Sequence, residues 1–512
     1  MRIIKLLHVL SKIKLLSPVG VFRLMSAFYK SGINLMTLLH FAGCTYGNRI
    51  ALVDDNETMT YKELLLESEN LAVSLKEKHI GSGQKVGILC HNHTSFIKSM
   101  FAVSRLGADL YLLNTEISSS QLSGFLSQQK LDVLIFDVEL TALVEESGFN
   151  NTKILSTHNQ LPAINQIVQI RNRDNKKIPR TTMSKIVLQT GGTTGISKEA
   201  AHKPSVFNYL NPFLALFNKF NMLERQTAYI ATPIYHGYGL GVLLLFLALG
   251  KKIVVSKGFD SHRACEIILT HQVEVVTVVP LMLQKMLNHS VESLQSLKCI
   301  ASGGAKLSSK LIEETQNQLG DVLFNLYGTS EAGLNVIATP HDLRFSSTTI
   351  GKKINGVQLK VMSKNMKEVS VGEIGHFCIT NDWSIRNEKN AWIQTGDVGF
   401  CDEQGYYFLL GRTDDMVVSG GENVYPIEVE QVLITHHAIE DVAVIGVMDE
   451  QFGQRLKAFI LPIKNATITN EEITTWLSSR VARFQMPKEI MMVEEMPYTS
   501  LGKIDKKLLK IK

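Results

Sequence analysis

Apolar strand-like runs alternate with helical stretches from Met59 to Asp397, and this alternation limits the fold more than any other feature. Lys85–Leu89 and Leu131–Phe136 read as strands, and a helix is predicted between them. Such alternation is typical of α/β layers built around a largely parallel sheet. Some of these strands end in small or hydroxyl residues, as at Ile300–Ala305. Their loops should converge on one edge of the sheet, where ligands bind in open α/β folds.

The pattern changes after Asp397, where shorter elements close the chain. A helix is predicted at Pro426–Thr435 and a strand at Asp441–Val447. Roughly 100 residues are enough for a separate domain. We therefore predict an N-terminal domain of layered sheets with helices over residues 1–413, and a small α+β domain over residues 414–512.

A loop rich in glycine and threonine follows the apolar run Lys185–Leu188, and residues 189–198 read QTGGTTGISK. Glycines let a backbone turn tightly and bring its N–H groups close to an anion, and Lys198 adds a positive charge. The spacing does not fit the G-x-x-x-x-G-K-[ST] phosphate loop. On composition alone, a phosphate cradle and a plain surface loop are both open.

Composition excludes several classes of function. The 512 residues carry a net charge of +5, and 45% of them are hydrophobic, so the chain is globular and lacks the basic stripe of a nucleic-acid binder. The six cysteines are scattered without a C-x-x-C pair, which favours a reducing compartment over disulfides or a structural metal. We predict a cytoplasmic protein without a nucleic-acid partner, and the oligomeric state stays open.

The first segment, residues 1–30, is basic and apolar. No acidic residue occurs before Asp54, whereas residues 1–30 contain Arg2, Lys5, Lys12, Lys14, Arg23 and Lys30. An amphipathic helix packed on the protein body is one interpretation. A helix lying on an anionic membrane surface is the other, and it would place the protein at the inner face of the membrane. No uncharged apolar run reaches about 18 residues, so no transmembrane helix is predicted.

Six blocks occur in a fixed order: TGGTTGISK, PIYHGYG, YGTSE, TGD, GRTDDMVVSGGENVYPIEVE and SLGKIDKKLL. In this order the chain resembles the adenylate-forming superfamily of acyl-CoA synthetases, luciferases and adenylation domains, from Thr60 to Lys503. The SGGENVYP form is most similar to fatty-acyl and related acyl-CoA ligases. The resemblance implies a large N-terminal domain and a small, mobile C-terminal lid that pivots at Asp414.

The resemblance also implies a two-step reaction with ATP, Mg²⁺ and coenzyme A. A carboxylate attacks the α-phosphorus of ATP to give acyl-AMP and pyrophosphate, and a thiol then displaces AMP to give a thioester. Such a transfer depends on positioning and charge neutralisation more than on covalent help. The family pattern assigns catalysis to Lys503, Thr193, Glu331 and His236, with Thr193 and Glu331 as the magnesium ligands.

Further positions that match the family would hold the nucleotide and the thiol. The β- and γ-phosphates would be held by Thr190, Gly191, Gly192, Thr194, Gly195 and Lys198. The adenine slot would be walled by Gly303, Gly304, Ala305 and Tyr327, followed by Gly328 and Thr329. Asp397 would accept hydrogen bonds from both ribose hydroxyls, with Arg412 beside it. The thiol channel would include Ser419, Gly420 and Gly421.

The acid that is activated is the least constrained part of the prediction. The apolar helix predicted at Leu240–Leu249 favours a medium- or long-chain fatty acid over an aryl acid, although core packing explains its leucines equally well. Transfer to a separate carrier protein is another alternative, since no carrier domain follows Lys512. Glu199 stands where the family has glycine, and Asn381–Ala391 is short for the family. Both keep open a degenerate, non-catalytic binding protein associated with a membrane.

Overall fold

The computed structural model describes residues 11, 14–159, 162–167, 178–182, 185–190, 198–202, 210–384, 392–419, 422–464, 466–499 and 502–511. The chain forms two compact units, residues 1–277 and 278–512, and each is described by itself.

The first unit contains the alternating helices and strands that the sequence predicts. Its helices are α1 Pro18–Ser31, α2 Leu35–Tyr46, α3 Tyr61–Glu77, α4 Thr94–Leu106, α5 Ser119–Gln129, α6 Thr141–Glu146, α7 Ile164–Ile167, α8 Leu210–Lys219, α9 Gly237–Ala248 and α10 Ser261–His271. Its strands are β1 Gly32–Ile33, β2 Ile50–Val53, β3 Thr58–Thr60, β4 Lys85–Leu89, β5 Asp109–Leu112, β6 Val133–Phe136, β7 Thr152–Leu155, β8 Thr181–Thr182, β9 Ile186–Thr190, β10 Lys198–His202, β11 Thr227–Ile230, β12 Lys252–Val255 and β13 Val275–Val278.

Two mixed sheets organise this unit, with the short parallel pair β1–β8 beside them. One sheet has the order β10-β9-β5-β4-β6-β7, in which only β10 is antiparallel to its neighbour. In the other sheet, β2, β12, β11 and β13 are parallel and β3 is antiparallel. The buried cluster around Leu89, Tyr111, Phe125 and Leu134 fills one face of the first sheet. Parallel strands place the carboxyl ends of β4, β6 and β9 at the same edge.

The local signals in the sequence are visible in the helix ends. Thr60 caps α3, and its hydroxyl accepts a hydrogen bond from the Glu63 amide while the Glu63 carboxylate accepts from the Thr60 amide. This capping box is the one that the sequence predicts, and it satisfies amides that the first turn leaves unpaired. Within the described residues, no helix is both long and apolar enough to cross a membrane.

The second unit begins with helices and a parallel strand pair and continues with antiparallel strands. Its helices are α11 Pro280–His289, α12 Ser309–Leu319, α13 Pro340–Phe345, α14 Pro426–Leu433, α15 Asn470–Ser478 and α16 Lys506–Leu509. Its strands are β14 Cys299–Gly303, β15 Leu323–Thr329, β16 Gly333–Ala338, β17 Thr349–Lys353, β18 Gln358–Met362, β19 Gly375–Thr380, β20 Ile393–Cys401, β21 Tyr407–Arg412, β22 Val417–Ser419, β23 Glu422–Val424, β24 Ile439–Asp449, β25 Gly453–Pro462 and β26 Glu489–Met492.

Two sheets lie in this unit. Strands β14 to β21 follow the order β14-β15-β16-β17-β21-β20-β19-β18, and every pair after β14–β15 is antiparallel. The last strands form a five-stranded sheet of order β23-β22-β25-β24, with β26 parallel to β25.

The five-stranded sheet has its own core on both faces. Val442 and Val444 of β24 belong to a buried cluster with helices α14 and α15. Ala443 and Ile445 point the other way, into a second cluster with Leu509. Alternate residues of one strand thus fill two cores, as the period of a strand requires. The small C-terminal α+β body is therefore as predicted, while the boundary between residues 413 and 414 and the mobility of this body stay predictions.

Candidate active site

A buried aspartate in β20 is the centre of the candidate site. Asp397 lies directly opposite Arg412 of the neighbouring strand β21. Its Oδ1 accepts a hydrogen bond from the Arg412 guanidinium at 3.2 Å, and its Oδ2 accepts one from the Tyr327 hydroxyl at 2.6 Å. The three predicted residues are thus brought together from β15, β20 and β21.

The electrostatics of Asp397 reflect its burial. Burial raises the pKa of this carboxyl, and the hydrogen bond from Tyr327 with the positive charges of Arg412 and Lys503 offsets the rise only in part. Burial and the neighbouring carboxylate hold the pKa of Tyr327 well above its usual range, so this hydroxyl stays a donor.

Gly396 explains why a glycine precedes this aspartate. Its φ of +78° is a conformation that side chains with a Cβ rarely adopt. A Cβ at this position would also lie 2.8 Å from Nη2 of Arg412. The glycine therefore lets the guanidinium approach Asp397, which gives the T-G-D block a geometric reason.

Lys503 reaches the same group from the C-terminal body. Gly502 has a φ of +67°, and a Cβ there would lie 2.7 Å from the Val279 side chain, so the lysine loop lies close against the start of α11. Although part of its side chain is exposed, surrounding protein lowers the pKa of Lys503 by desolvation, with a further lowering from Arg412 and an opposing effect of Asp397. Tyr327, Asp397, Arg412 and Lys503 are called the Asp397 cluster below.

The predicted adenine-slot residues follow two adjacent strands. Gly303 at the end of β14 pairs with Leu326 of the parallel strand β15, so the segments after Gly303 and after Tyr327 leave the sheet at one edge. The hydroxyl of Ser302 is buried and has no hydrogen-bond partner among the described residues. Gly304 and Gly328 are exposed and Ala305 is half-buried.

The turn after β15 carries the predicted magnesium ligand of this unit. Thr329 accepts a hydrogen bond from the Ala332 amide at 3.1 Å, which fixes the turn, and Glu331 is exposed there. In the C-terminal body, Ser419 is buried at the end of β22, in register with Gly453. Gly420 and Gly421 lie outside the described residues.

The phosphate loop is described only at its two ends. Thr190 ends β9 and pairs directly with Lys198, the first residue of the antiparallel strand β10. Lys198 was predicted as a loop residue, and the structure places its backbone in a strand because β10 pairs antiparallel with β9. The remaining loop residues lie outside the described part of the chain, namely Gly191, Gly192, Thr193, Thr194 and Gly195.

His236 lies in the first unit, at the residue preceding α9. Its ring meets the Tyr235 ring edge-on, with centroids 4.6 Å apart. The preceding loop is fixed by Asn92, whose side-chain amide donates to the Thr232 carbonyl at 3.0 Å and accepts from the Ile234 amide at 2.8 Å. Asn92 was not predicted from the sequence, although a polar residue just after the buried strand β4 indicates a position at the ligand-binding edge of a parallel sheet.

A second polar group was also missed. Asp137, which follows β6, accepts hydrogen bonds from the His91 amide, His91 Nδ1 and His93 Nε2, each at 2.8 Å, and from the Ser156 hydroxyl. His93 Nδ1 accepts from the Phe96 amide at 3.1 Å, which assigns the proton to Nε2. His91, His93, Asp137 and Ser156 are called the Asp137 network below.

Family models match two stretches of the chain. Residues 41–386 match the AMP-binding enzyme family, and residues 428–503 match the AMP-binding enzyme C-terminal domain. The chain belongs to the AMP-binding enzyme family. The resemblance to adenylate-forming enzymes is thereby confirmed, as is the α/β fold with a large N-terminal and a small C-terminal part.

Relatives and solved structures agree with this membership. A 2-succinylbenzoate–CoA ligase of Bacillus pumilus is 27% identical over 486 residues, which cover 93% of this chain and 97% of the relative. An amide bond synthetase from Marinactinospora thermotolerans superposes with a TM-score of 0.82 at 21% identity, covering 93% of this chain and 99% of that one. The o-succinylbenzoate coenzyme A synthetase of Bacillus subtilis, solved with ATP and magnesium, gives 0.80 at 23% identity and covers 92% and 99%.

These comparisons bear differently on the two parts of the predicted function. An adenine nucleotide fits the family, and the predicted set of ATP, Mg²⁺ and coenzyme A agrees with what similar enzymes are named for or contain. The prediction of a fatty acid gains no support, because the relatives are named for an aromatic acid. Membrane contact is not addressed by any of these relatives.

Proposed function

We propose that this chain is an AMP-forming acid–CoA ligase that activates an aryl carboxylic acid with ATP and transfers the acyl group to coenzyme A. The observation that carries the proposal is the Asp397 cluster, a buried carboxylate held by Tyr327 and Arg412 with Lys503 beside it.

The acceptor capacity of Asp397 suits the ribose of ATP. An ionised carboxylate has about four acceptor positions. Among the described residues, Tyr327 and Arg412 each donate one hydrogen bond to it, so each oxygen keeps one position for a ribose hydroxyl. The parallel ends of β14 and β15, with Gly304 and Gly328 exposed, give a base a side-chain-free surface nearby.

Lys503 is suited to the first half-reaction. The substrate carboxylate attacks the α-phosphorus, the bond to the bridging oxygen breaks, and pyrophosphate leaves. Negative charge builds on the phosphoryl oxygens in that step. A partly desolvated ammonium stabilises such charge more strongly than one in bulk water, because the surrounding dielectric is lower.

The magnesium ion would neutralise phosphate charge during this step. Glu331 offers the oxygen donor that Mg²⁺ prefers and is exposed at the turn after β15. Its proposed partner Thr193 lies outside the described residues.

In the second half-reaction the thiol sulfur attacks the acyl carbonyl, the thioester bond forms, and AMP leaves with the bonding electrons. Ser419 and the residues after it, together with a pivot at Asp414, are proposed to serve this step. The separate core of the C-terminal body supports a movement as one piece.

The choice of an aryl acid over a fatty acid rests on two observations. The relatives that cover most of this chain are 2-succinylbenzoate ligases. In addition, helix α9, whose leucines suggested a wall for an acyl chain, buries Leu240, Leu243 and Leu247 in the first unit. Because core packing accounts for buried leucines, these side chains are not evidence for a fatty acid.

A panel of carboxylic acids tests the proposal. The full chain is incubated with ATP, Mg²⁺, coenzyme A and either 2-succinylbenzoate, benzoate, octanoate or palmitate. Pyrophosphate release is measured and the thioester is identified by mass spectrometry. We expect both products with the aromatic acids and the highest rate with 2-succinylbenzoate.

Each other outcome of the acid panel would support a different function. Preference for octanoate or palmitate would restore the fatty-acid prediction. Pyrophosphate release without any coenzyme A thioester would favour transfer to a carrier protein. Absence of pyrophosphate release with every acid would favour the non-catalytic binding protein.

A further inference from the structure

Helix α1 presents its large apolar side chains to solvent. Val19, Phe22, Met25 and Tyr29 are 57%, 73%, 62% and 70% exposed. Their spacing of three, three and four residues places them along one side of the helix. The stripe continues past both ends of α1, to the exposed Leu16 and Ile33.

The opposite side of α1 carries small residues and faces the protein. Gly20, Ala27 and Ser31 are buried there. A surface helix of a globular protein normally turns its apolar side inward. Helix α1 therefore has the reverse arrangement, and its small side is the one that packs.

Helix α1 is fixed to the first unit at its C-terminal end. The guanidinium of Arg105 donates to the Lys30 carbonyl at 3.2 Å and to the Pro179 carbonyl at 2.8 Å. Asn34 donates to the Ser31 carbonyl at 2.7 Å and to the Thr181 hydroxyl at 3.0 Å. The exposed stripe is thus held in place and does not need to be ordered when a partner binds.

The charges around the stripe have one sign. Arg23 and Lys30 are seven residues apart and lie along one edge of α1, and Lys14 precedes the helix. The Arg180 guanidinium lies 4.7 Å from the centroid of the Tyr29 ring. No acidic residue occurs in the first 53 residues. An apolar stripe flanked by these cations, in a segment without acidic residues, is complementary to an anionic, apolar partner.

Lipid fits these requirements better than a second copy of the chain. Two copies packed face to face would bring Arg23 and Lys30 against the same cations of the partner. The 14 residues of α1 extend about 21 Å, which is short of the roughly 30 Å hydrocarbon core of a bilayer, so the helix suits the interface and not a span.

We propose that α1 is a docking surface for anionic lipid bilayers. The helix axis lies parallel to the membrane, Val19, Phe22, Met25 and Tyr29 enter the interface, and the cations contact lipid phosphates. This inference does not depend on the acid that the enzyme activates.

Vesicle co-sedimentation of the full chain tests the proposal. Vesicles of phosphatidylglycerol and phosphatidylcholine in equal parts are compared with vesicles of phosphatidylcholine alone, at low and high salt. We expect binding to the anionic vesicles that salt weakens. Phe22→Ser combined with Tyr29→Ser should lower the ratio of bound to free protein at least about tenfold, because two aromatic side chains no longer leave water.

Each test variant has a matched control. Val371→Ser with Met448→Ser removes apolar side chains that are 62% and 80% exposed elsewhere, and it should bind as the parent does. The second test variant, Arg23→Glu with Lys30→Glu, should weaken binding more than about tenfold. Its control, Lys364→Glu with Lys367→Glu, changes the net charge equally and should weaken binding much less. Unfolding midpoints and pyrophosphate release on a soluble acid should match the parent in all four.

Several results would overturn the proposal. Absence of binding by the parent chain would do so, as would equal binding to neutral vesicles or equal loss in the apolar control variant. A dimer that dissociates when Phe22 and Tyr29 are replaced, without any vesicle binding, would assign the surface to a second copy instead.

Discussion

Asp137 in the first unit and Asp397 in the second are both buried. They differ in how many hydrogen bonds the surrounding protein donates to them. Asp137 accepts hydrogen bonds from two groups of His91, from His93 and from Ser156. Those four bonds fill the roughly four acceptor positions of a carboxylate. Among the described residues, Asp397 receives bonds from Tyr327 and Arg412 alone.

The pKa values of the two carboxyls differ in direction for the same reason. Burial alone would raise the pKa of Asp137, but hydrogen bonds from His91, His93 and Ser156 hold it well below its usual range. Burial raises the pKa of Asp397, and its fewer partners do not reverse that rise. The first carboxylate has its acceptor positions filled by the protein, whereas the second keeps positions that the proposed ribose would occupy. Unused acceptor positions, more than burial, thus distinguish a candidate site from a structural polar group.

The largest effect is expected where the Asp397 cluster meets the reacting atoms. Lys503→Ala should lower adenylation about 100- to 1,000-fold, because it removes charge that stabilises the first transition state only. Thioester formation from supplied acyl-AMP should be spared. Pyrophosphate exchange and single-turnover thioester assays measure the two steps. Lys507→Ala, which removes an exposed lysine four residues later, is the matched control. Equal loss of both steps in a folded variant would remove Lys503 from this role.

The second test replaces Asp397, the carboxylate that keeps unused acceptor positions. Asp397→Asn should weaken ATP binding about 10- to 100-fold in titration calorimetry, since hydrogen bonds to a charged group are lost. It should not lower stability, because the raised pKa means that burial opposes the ionised form. Nucleotide binding needs that ionised form, so parent affinity should fall as pH decreases through the raised pKa, and the variant should lack this dependence. Unchanged affinity at neutral pH would place the ribose elsewhere.

The third test replaces Asp137, the carboxylate whose acceptor positions are all filled. Asp137→Asn should lower the free energy of unfolding by about 2 kcal/mol, because an amide cannot accept all four donors and leaves some of them unsatisfied. Activity per folded molecule should stay near that of the parent. Since the folded pKa lies below the unfolded value of about 3.9, the contribution of Asp137 is present above that pH and is lost as pH falls below it. Urea unfolding at neutral and acidic pH should show this loss in the parent only. A variant that stays stable but loses activity would show that the Asp137 network has a functional role and not only a structural one.

The same comparison shows what the sequence can and cannot predict. Asp397 and Arg412 were predicted because their blocks match a family, and Thr60 with Glu63 because a capping box is local in sequence. The Asp137 network joins His91 and Asp137 across 46 residues, and only the adjacency of β4 and β6 brings them together. Spacing alone gave no sign of that adjacency.

Helix α1 illustrates a different limit. Periodicity predicts that a helix has an apolar side, but it does not tell whether that side faces the protein. The small residues Ala27 and Ser31 are buried on the packed side of the helix, while Phe22 on the other side remains exposed. The role of the leucines in α9 was open in the same way, and the structure shows Leu240, Leu243, Leu245 and Leu247 to be buried.

The smallest expected effect concerns a third carboxylate, which should oppose the ligand. Glu199 is the second residue of β10, pairs with Gln189, and directly follows the end of the predicted phosphate loop. A like charge close to ATP phosphates costs on the order of 1 kcal/mol when solvent screens it. Glu199→Gln should therefore tighten ATP binding several-fold in titration calorimetry, and added salt should reduce the difference. Glu313→Gln changes net charge equally on the exposed side of α12 and should leave affinity unchanged. If both variants bind ATP as the parent does, the Glu199 side chain faces away from the phosphates, and the family glycine was replaced at this position without cost.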